Sequence, residues 1–225
     1  MPVTLKSTKT IELSPHCLVY GPAKSGKTRL IATLDNPVVC STDAGLSVLS
    51  SFPKEYPCEE YTDWAGVEEF LKWVVGSNES KQFAEVVFDD LTEMCGLYLI
   101  DAMKRNKDGR QAYGAMAERI LKLIRDMRAI KQHTVVFLCK QERIQDEEKR
   151  LIYTPMIPGN AIQPLLPYMW SQIYHMETLT HTDGKVYECL RCKRSNTVEA
   201  GDRSGRLGET EWAHLGDINR KVMGL

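Results

Sequence analysis

The sequence contains a glycine-rich octapeptide, GPAKSGKT, between a short apolar run and a helix-like run. It fits the Walker A pattern G-x-x-x-x-G-K-[ST] at every fixed position. Between a strand and a helix, such a loop aims backbone N–H groups at one place where phosphates can sit. Lys27 is predicted to reach the β- and γ-phosphates of ATP, and the Thr28 hydroxyl to ligate Mg²⁺. The predicted nucleotide-binding residues are Gly21, Pro22, Ala23, Lys24, Ser25, Gly26, Lys27 and Thr28.

Two adjacent carboxylates follow the apolar run Val86-Val87-Phe88. A magnesium-phosphate site needs a carboxylate at the end of a neighbouring strand, and Asp89 stands where this Walker B residue is expected. It is predicted to hold the ion through its water shell. Asp90 has two interpretations: it polarises the attacking water, or it caps the helix that begins at Leu91.

Apolar, β-prone runs alternate with helical patterns along the chain. Strands are predicted at 16–20, 37–42, 83–88 and 133–139, and helices at 63–75, 91–106 and 115–132, with a glycine-containing break at 107–114. An Asp-Gly turn between β-prone runs predicts a C-terminal hairpin at 172–193. Apolar strands separated by amphipathic helices indicate an α/β fold, with a mainly parallel sheet covered by helices on both faces.

The composition is that of an ordinary globular protein of 225 residues with a net charge of -1. We predict one domain over 1–225, with 1–12 as an N-terminal arm. Seven scattered cysteines and the lack of a long apolar run predict a cytoplasmic protein with reduced thiols and no membrane partner. Cys189 and Cys192 lack a second pair, so a zinc site would need His175 and His181, and plain thiols are favoured.

The order GPAKSGKT, VVCSTDAGLSVL, EVVFDD, TVVFLCKQ and TPMIPGNAIQPLLPYMW resembles the ATPase core of RecA-type recombinases. It is most similar to the phage-encoded single-strand annealing proteins of the Sak group, over residues 12–220. The resemblance implies a RecA-like P-loop NTPase core that uses ATP and Mg²⁺. It also implies a DNA recombination protein of a bacteriophage, active in the host cytoplasm, that binds single-stranded DNA and promotes annealing or strand pairing. The implied partners are further copies of the chain, in an oligomer or filament, and a single-strand-binding protein.

The same resemblance assigns roles to individual residues. The water-activating glutamate of RecA-like cores falls on Gly45, and Asp43 is the nearby carboxylate that would substitute for it. The glutamine that senses the γ-phosphate corresponds to Gln141 if one residue is inserted, and to Lys140 otherwise. Arg203 corresponds to a basic element that reaches the ATP site of a neighbouring subunit, the alternative being a solvated arginine.

DNA-binding residues are expected in two loops, approximately 142–152 and 153–160, and in a basic stretch at 185–206, with a second basic stretch at 101–110. The individual candidates are Arg143, Lys149, Arg150, Asn160, Lys193 and Arg194. Single-strand binding usually adds aromatic stacking to positive charge. The aromatic candidates, for which core packing is the alternative, are Tyr113, Tyr153, Tyr168 and Trp170.

Two other function classes are compatible with a phosphate loop on a chain of this size. One is a small-molecule kinase that phosphorylates a nucleoside or nucleotide. The other is a nucleotide-gated scaffold with little turnover, which the glycine at position 45 allows.

Overall fold

A mixed β-sheet forms the centre of the molecule. The computed structural model describes residues 15–106, 108–145, 148–159, 161–180 and 184–225. Within them the strands are β1 (His16–Gly21), β2 (Pro37–Ser41), β3 (Cys58–Glu60), β4 (Glu85–Asp89), β5 (Thr134–Gln145), β6 (Leu151–Pro155), β7 (Gln172–Thr180), β8 (Val186–Arg191), β9 (Gly201–Asp202) and β10 (Thr210–Trp212).

The strand order is β10-β8-β7-β1-β5-β4-β2-β3, with β6 added to β5 and β9 added to β7. All pairs from β7 to β3 are parallel. The antiparallel pairs are β7–β8, β8–β10, β5–β6 and β7–β9. The predicted α/β fold, with a mainly parallel sheet and a C-terminal hairpin, is confirmed.

Helices cover both faces of this sheet. They are α1 (Trp64–Gly76), α2 (Leu91–Arg105), α3 (Gly109–Ala129), α4 (Leu166–Met169) and α5 (Leu215–Met223). The first three pack on one face, and α5 packs on the other with the 3-10 helices Thr28–Thr33 and Leu46–Ser51. None of the helices within the described residues has the length and apolar character needed to cross a bilayer.

Strand β1 explains why the apolar runs are continuous. Leu18 and Tyr20 point into the core under α1–α3, whereas Cys17 and Val19 point into the core under α5. Because successive side chains in a strand point to opposite faces, a strand covered on both sides must be apolar at every position.

Two predicted elements differ from the structure. The break predicted at 107–114 is wrong over 109–114, because Asp108 accepts a hydrogen bond from Arg110 N (2.9 Å) and caps α3 there. The first predicted DNA loop, 142–152, is not a simple loop, because β5 continues to Gln145 and pairs with β6. A partner strand supplies the backbone hydrogen bonds that a charged sequence would otherwise leave to water. The predicted arm at 1–12 lies outside the described residues.

Candidate nucleotide-binding site

A pocket of about 620 Å³ opens at the edge of the sheet where the parallel strands end. In open parallel sheets, ligands bind at this edge. Every predicted nucleotide-binding residue except Pro22 lines it. The remaining lining residues come from the ends of neighbouring strands and the segments after them: Arg29, Asp43, Gly45, Val48, Asp89, Asp90, Lys140, Gln141 and Met156.

The phosphate loop has the backbone that its glycines predict. Gly26 lies in the left-handed region with φ of 91°, and Lys24 lies there as well with φ of 62°. Gly21 makes a close approach to the next strand, since a Cβ there would stand 2.7 Å from the Cβ of Met176. A larger residue at position 21 would therefore separate β1 from β7.

Lys27 is folded onto its own loop. Its Nζ donates hydrogen bonds to the carbonyl oxygens of Gly21 (2.9 Å) and Pro22 (2.8 Å). Burial lowers the pKa of Lys27, while the nearby Asp90 and Asp89 carboxylates oppose that shift. A partly desolvated ammonium held at the loop is well placed to bind phosphate oxygens.

Thr28 and Asp89 lie together, although they are far apart in sequence. The Thr28 hydroxyl donates a hydrogen bond to Oδ2 of Asp89 at 2.9 Å. Burial raises the pKa of Asp89 to about 6, the bond from Thr28 lowers it, and the Asp43 carboxylate raises it further. A hydroxyl and a carboxylate are hard oxygen ligands of the kind Mg²⁺ prefers. The pair therefore fits the predicted ion.

Asp90 caps α2. Its Oδ1 accepts a hydrogen bond from the backbone N–H of Glu93 at 2.7 Å, and it is buried. Burial raises its pKa to about 6. The capping interpretation is confirmed. Since Asp90 also lines the pocket, a role in polarising water stays a prediction.

Gly45 lies beside the predicted metal ligand. A Cβ at this position would be 3.6 Å from the Thr28 hydroxyl oxygen, so a side chain there would project toward the ion. The substitute carboxylate, Asp43, is exposed, and its Oδ2 lies 3.9 Å from Nζ of Lys140. Lys140 also forms an ion pair with Glu93. The carboxylate predicted to activate water thus lies close to a cation at the mouth of the pocket.

Both candidates for the γ-phosphate sensor reach the pocket. Lys140 is level with Gly21 across β1 and β5, and Gln141 is the next residue. Oε1 of Gln141 lies 2.6 Å from Nε2 of His175 on β7. In the sequence His175 is a candidate only for zinc, because nothing local indicates that β7 will face the end of β5.

The zinc hypothesis receives no support from the described part of the chain. No group of three or more His, Cys, Asp or Glu side chains comes together there to hold a metal ion. Cys189 and Cys192 are buried thiols, and the thiol of Cys192 donates to the carbonyl oxygen of Leu190. His181 lies outside the described residues.

Several DNA-binding candidates lie on one surface feature. Arg143 pairs with Tyr153 across the β5–β6 hairpin, and the backbone of Tyr153 bonds to Thr197 (2.8 Å) and Glu199 (3.0 Å). Residues 193–199 thus lead into a third strand-like segment beside β6. We call 142–155 and 193–199 together the hairpin arm; it has five basic and five acidic residues.

The hairpin arm carries five of the six predicted DNA-binding residues, and all five are exposed. Arg150 pairs with Glu148 at 2.9 Å, and Arg194 pairs with Glu199 at 3.5 Å. The sixth candidate, Asn160, lies outside the described residues. The broader basic stretch at 185–206 is less available than its composition suggests, because Arg191 is bound to Glu177 and Glu209.

The aromatic candidates divide by exposure. Trp170 is buried against Phe137, with ring centroids 5.0 Å apart, so its stacking role is wrong and the core alternative holds. Tyr153 is half-buried. Tyr113 is 40% exposed and Tyr168 is 76% exposed, so both can still meet a base.

Arg203 lies away from the pocket of its own chain. Its backbone N–H donates to the carbonyl of Ser171, immediately before β7 begins, and its side chain is exposed. Because β7 runs parallel to β1, its beginning stands at the edge opposite the phosphate loop. A role at a neighbouring subunit's site stays a prediction.

The model of the AAA domain family AAA_24 matches residues 14–204. The chain belongs to this family. This AAA_24 protein has the core of a RecA-like P-loop ATPase, while its relation to the Sak group stays a prediction. No curated protein matches the sequence. Among solved structures, the chain is similar to the flagellar accessory protein FlaH of Methanocaldococcus jannaschii, with 9% identity and a TM-score of 0.41 over 80% of this chain and 78% of that one.

Proposed function

We propose that this protein is an ATP-dependent, single-stranded-DNA-binding recombination protein of a bacteriophage that promotes strand annealing or pairing. The observation that carries the proposal is the course of β5. Lys140 and Gln141 line the nucleotide pocket, and the same strand continues into the hairpin arm with Arg143. A change at the phosphate end of the pocket therefore acts directly on the start of the arm.

The phosphate loop and four pocket side chains have roles in this proposal. The N–H groups of the phosphate loop and Nζ of Lys27 bind the phosphates, and Thr28 and Asp89 hold Mg²⁺. When bound, the ion neutralises negative charge on the phosphate oxygens. Gln141 donates to a γ-phosphate oxygen, so the triphosphate and diphosphate forms hold the base of the arm differently.

Exposed cations on the hairpin arm support the choice of a polyanion as partner. Arg143, Lys149 and Lys193 are exposed there, although the arm as a whole has five basic and five acidic residues. Affinity of one subunit for DNA is therefore modest and falls with salt. Assembly into an oligomer or filament raises the affinity for DNA through multivalency. Arg203 acts across the subunit interface of this assembly, and a single-strand-binding protein is a further partner.

Lys27→Ala tests the coupling of nucleotide to DNA. The variant loses a charge-assisted contact to phosphate, so we expect ATP affinity to fall by at least about tenfold. We also expect ATP-stimulated binding and annealing of labelled single strands, followed by fluorescence anisotropy and strand pairing, to be lost. Lys122→Ala, on the exposed face of α3, is the control for loss of a positive charge. The proposal is wrong if Lys27→Ala anneals complementary strands as well as the parent does in the presence of ATP.

One observation favours a second candidate, a nucleotide-gated scaffold with little turnover. The position from which a side chain would project toward the metal site is Gly45, which carries no carboxylate. In a scaffold, ATP binding drives assembly while phosphate release stays at background even with DNA. An assay of phosphate release run beside particle sizing, with and without single-stranded DNA, separates the two candidates.

A further inference from the structure

A second cavity, of about 400 Å³, lies beside β3 at one edge of the sheet. The residues around it come mainly from α1, from the segment that contains β3, and from the 3-10 helix Glu79–Gln82 before β4. Three strands, β5, β4 and β2, separate β3 from β1 and its phosphate loop. The cavity shares no lining residue with the nucleotide pocket, so it is a separate site.

Four aromatic rings line this cavity as a continuous series. The ring centroids of Tyr61 and Phe70 are 6.2 Å apart, those of Phe70 and Trp73 are 5.6 Å apart, and those of Trp73 and Phe83 are 6.1 Å apart. Phe70 is buried, whereas the other three residues are half-buried. The planes of neighbouring rings are tilted by 40° to 63°, so the rings do not cover one another's faces. Ring surface is therefore left to meet a group in the cavity.

The charged residues around the cavity are all acidic. They are Glu59, Glu69 and Glu79, and each is exposed. Within the residues that the structure describes, none of these three carboxylates forms an ion pair. Lys81, which lies in the same 3-10 helix as Glu79, donates instead to Oδ1 of Asn78 at 2.8 Å. Three negative charges at the cavity therefore have no cation from this part of the chain.

Two of these carboxylates also act on an aromatic side chain of the cavity. Burial raises the pKa of the Tyr61 hydroxyl, the Cys40 thiol raises it further, and so do the carboxylates of Glu59 and Glu69. Charges that oppose a phenolate at Tyr61 favour a positive charge beside its ring, because the sign of the Coulomb interaction is reversed. The rings and the carboxylates thus act on the same space.

We propose that this cavity binds an organic cation, a guanidinium or alkylammonium group on a short apolar stem. The face of an aromatic ring attracts a cation that lies within about 6 Å of its centroid, and carboxylates at the rim add Coulomb attraction. A phosphate group would meet three like charges there, so the cavity is not a site for DNA or nucleotide. Its volume lies within the range of about 300–1,000 Å³ that is typical of small-ligand sites. Two sources carry this chemistry: an arginine or lysine side chain of a partner protein, and a free amine.

The experiment is an NMR titration of the full chain labelled with ¹⁵N, followed at the indole N–H of Trp73, which is assigned by its loss in Trp73→Phe. Three probes are compared: a short glycine-serine peptide with one central arginine, the same peptide with citrulline in its place, and agmatine. We expect the arginine peptide to shift the Trp73 signal. The citrulline peptide should bind at least about tenfold more weakly, because it keeps the shape of arginine without the charge. Agmatine that binds as tightly as the arginine peptide supports the proposal with a free amine as the source, and weaker binding supports it with a side chain.

A variant that combines Glu59→Gln, Glu69→Gln and Glu79→Gln tests the carboxylates. An exposed ion pair contributes about twofold to affinity, so the three together should weaken binding of the arginine peptide by about tenfold. Because the three side chains are exposed, the variant should keep its native packing, which near-UV circular dichroism checks.

The matched control removes three carboxylates from α2 and α3, where none lines the cavity, through Asp101→Asn, Glu118→Gln and Asp126→Asn. It changes the net charge equally and should leave binding of the arginine peptide unchanged. The proposal is overturned if the citrulline peptide binds as tightly as the arginine peptide, or if the cavity variant binds the arginine peptide as the parent does. It is also overturned if neither the arginine peptide nor agmatine shifts the Trp73 signal at millimolar concentration.

Discussion

Replacing Asp89 by asparagine should make the protein more stable at neutral pH while removing a ligand of the proposed magnesium site. The Asp89 side chain is buried, and its residue is only 4% exposed. Burial raises its pKa from the ordinary 3.8 to about 6, even though the Thr28 hydroxyl donates to it. The folded chain without nucleotide therefore holds an unfavourable charge, and an amide of the same shape would not carry it.

The size of the effect follows from the two pKa values. Each tenfold change in proton affinity corresponds to about 1.4 kcal/mol, so a pKa of about 6 instead of 3.8 costs the folded state about 3 kcal/mol above pH 6. As the pH falls from 6 to 3.8, the folded carboxyl is protonated before the unfolded one, and the cost declines. The advantage of Asp89→Asn is thus about 3 kcal/mol at pH 7.5, about half of that at pH 5, and absent below the unfolded pKa.

Denaturant unfolding in the presence of a chelator, at pH 7.5 and pH 5, measures this advantage as a difference in the free energy of unfolding. Asp63→Asn also removes one carboxylate, but an exposed one at the N-cap of α1; it is the control and should change little. Added Mg²⁺-ATP should stabilise the parent and leave Asp89→Asn unaffected, because binding to the native state alone shifts the equilibrium.

Two results would refute the reasoning. If Asp89→Asn is no more stable than the parent at pH 7.5, the buried Asp89 charge does not lower the free energy of unfolding as its raised pKa indicates. If its advantage does not shrink at pH 5, the gain has a cause other than the charge. A variant stabilised by Mg²⁺-ATP as strongly as the parent would show that Asp89 does not hold the ion.

Two further predictions concern Gly45 and the first helix. Gly45→Glu places a carboxylate beside Thr28. It should raise ATP turnover by at least about tenfold, because a positioned general base contributes that much or more. Equal turnover by Gly45→Gln, which has no base, would contradict this. Asp63→Ala removes the oxygen that accepts from Gly66 N at 2.9 Å and should cost about 1 kcal/mol in urea unfolding, whereas Asp63→Asn should keep most of the stability. If the alanine and asparagine variants unfold together, the cap contributes nothing measurable.

Much of the site could be predicted from local sequence, because its parts are local. The phosphate loop is one uninterrupted octapeptide, and Asp89 directly follows an apolar strand. The capping role of Asp90 could also be predicted, as one of two hypotheses, because N-capping joins residues only three apart in sequence, here Asp90 and Glu93. The sequence does not decide whether Lys140 or Gln141 is the γ-phosphate sensor, since the choice depends on where β5 leaves the sheet relative to β1.

The remaining features depend on which strands become neighbours. His175 meets Gln141 only because β7 lies beside β1, and β1 lies beside β5. The charged segment after Lys140 becomes a strand because β6 returns to pair with it, and Lys193 joins the same arm because 197–199 runs along β6. These pairings join residues far apart in sequence. Because strands pair through backbone hydrogen bonds, which every residue type can form, the residue types of one strand do not specify which strand will pair with it.

The sequence by itself therefore determined the alternating fold class, the phosphate loop and the candidate magnesium ligands, since periodicity and a contiguous loop express them directly. The tertiary structure alone decided that the pocket continues into the hairpin arm and that His175 lies beside Gln141. The order and register of the parallel strands place those residues together, and that order results from packing the whole chain on both faces of the sheet.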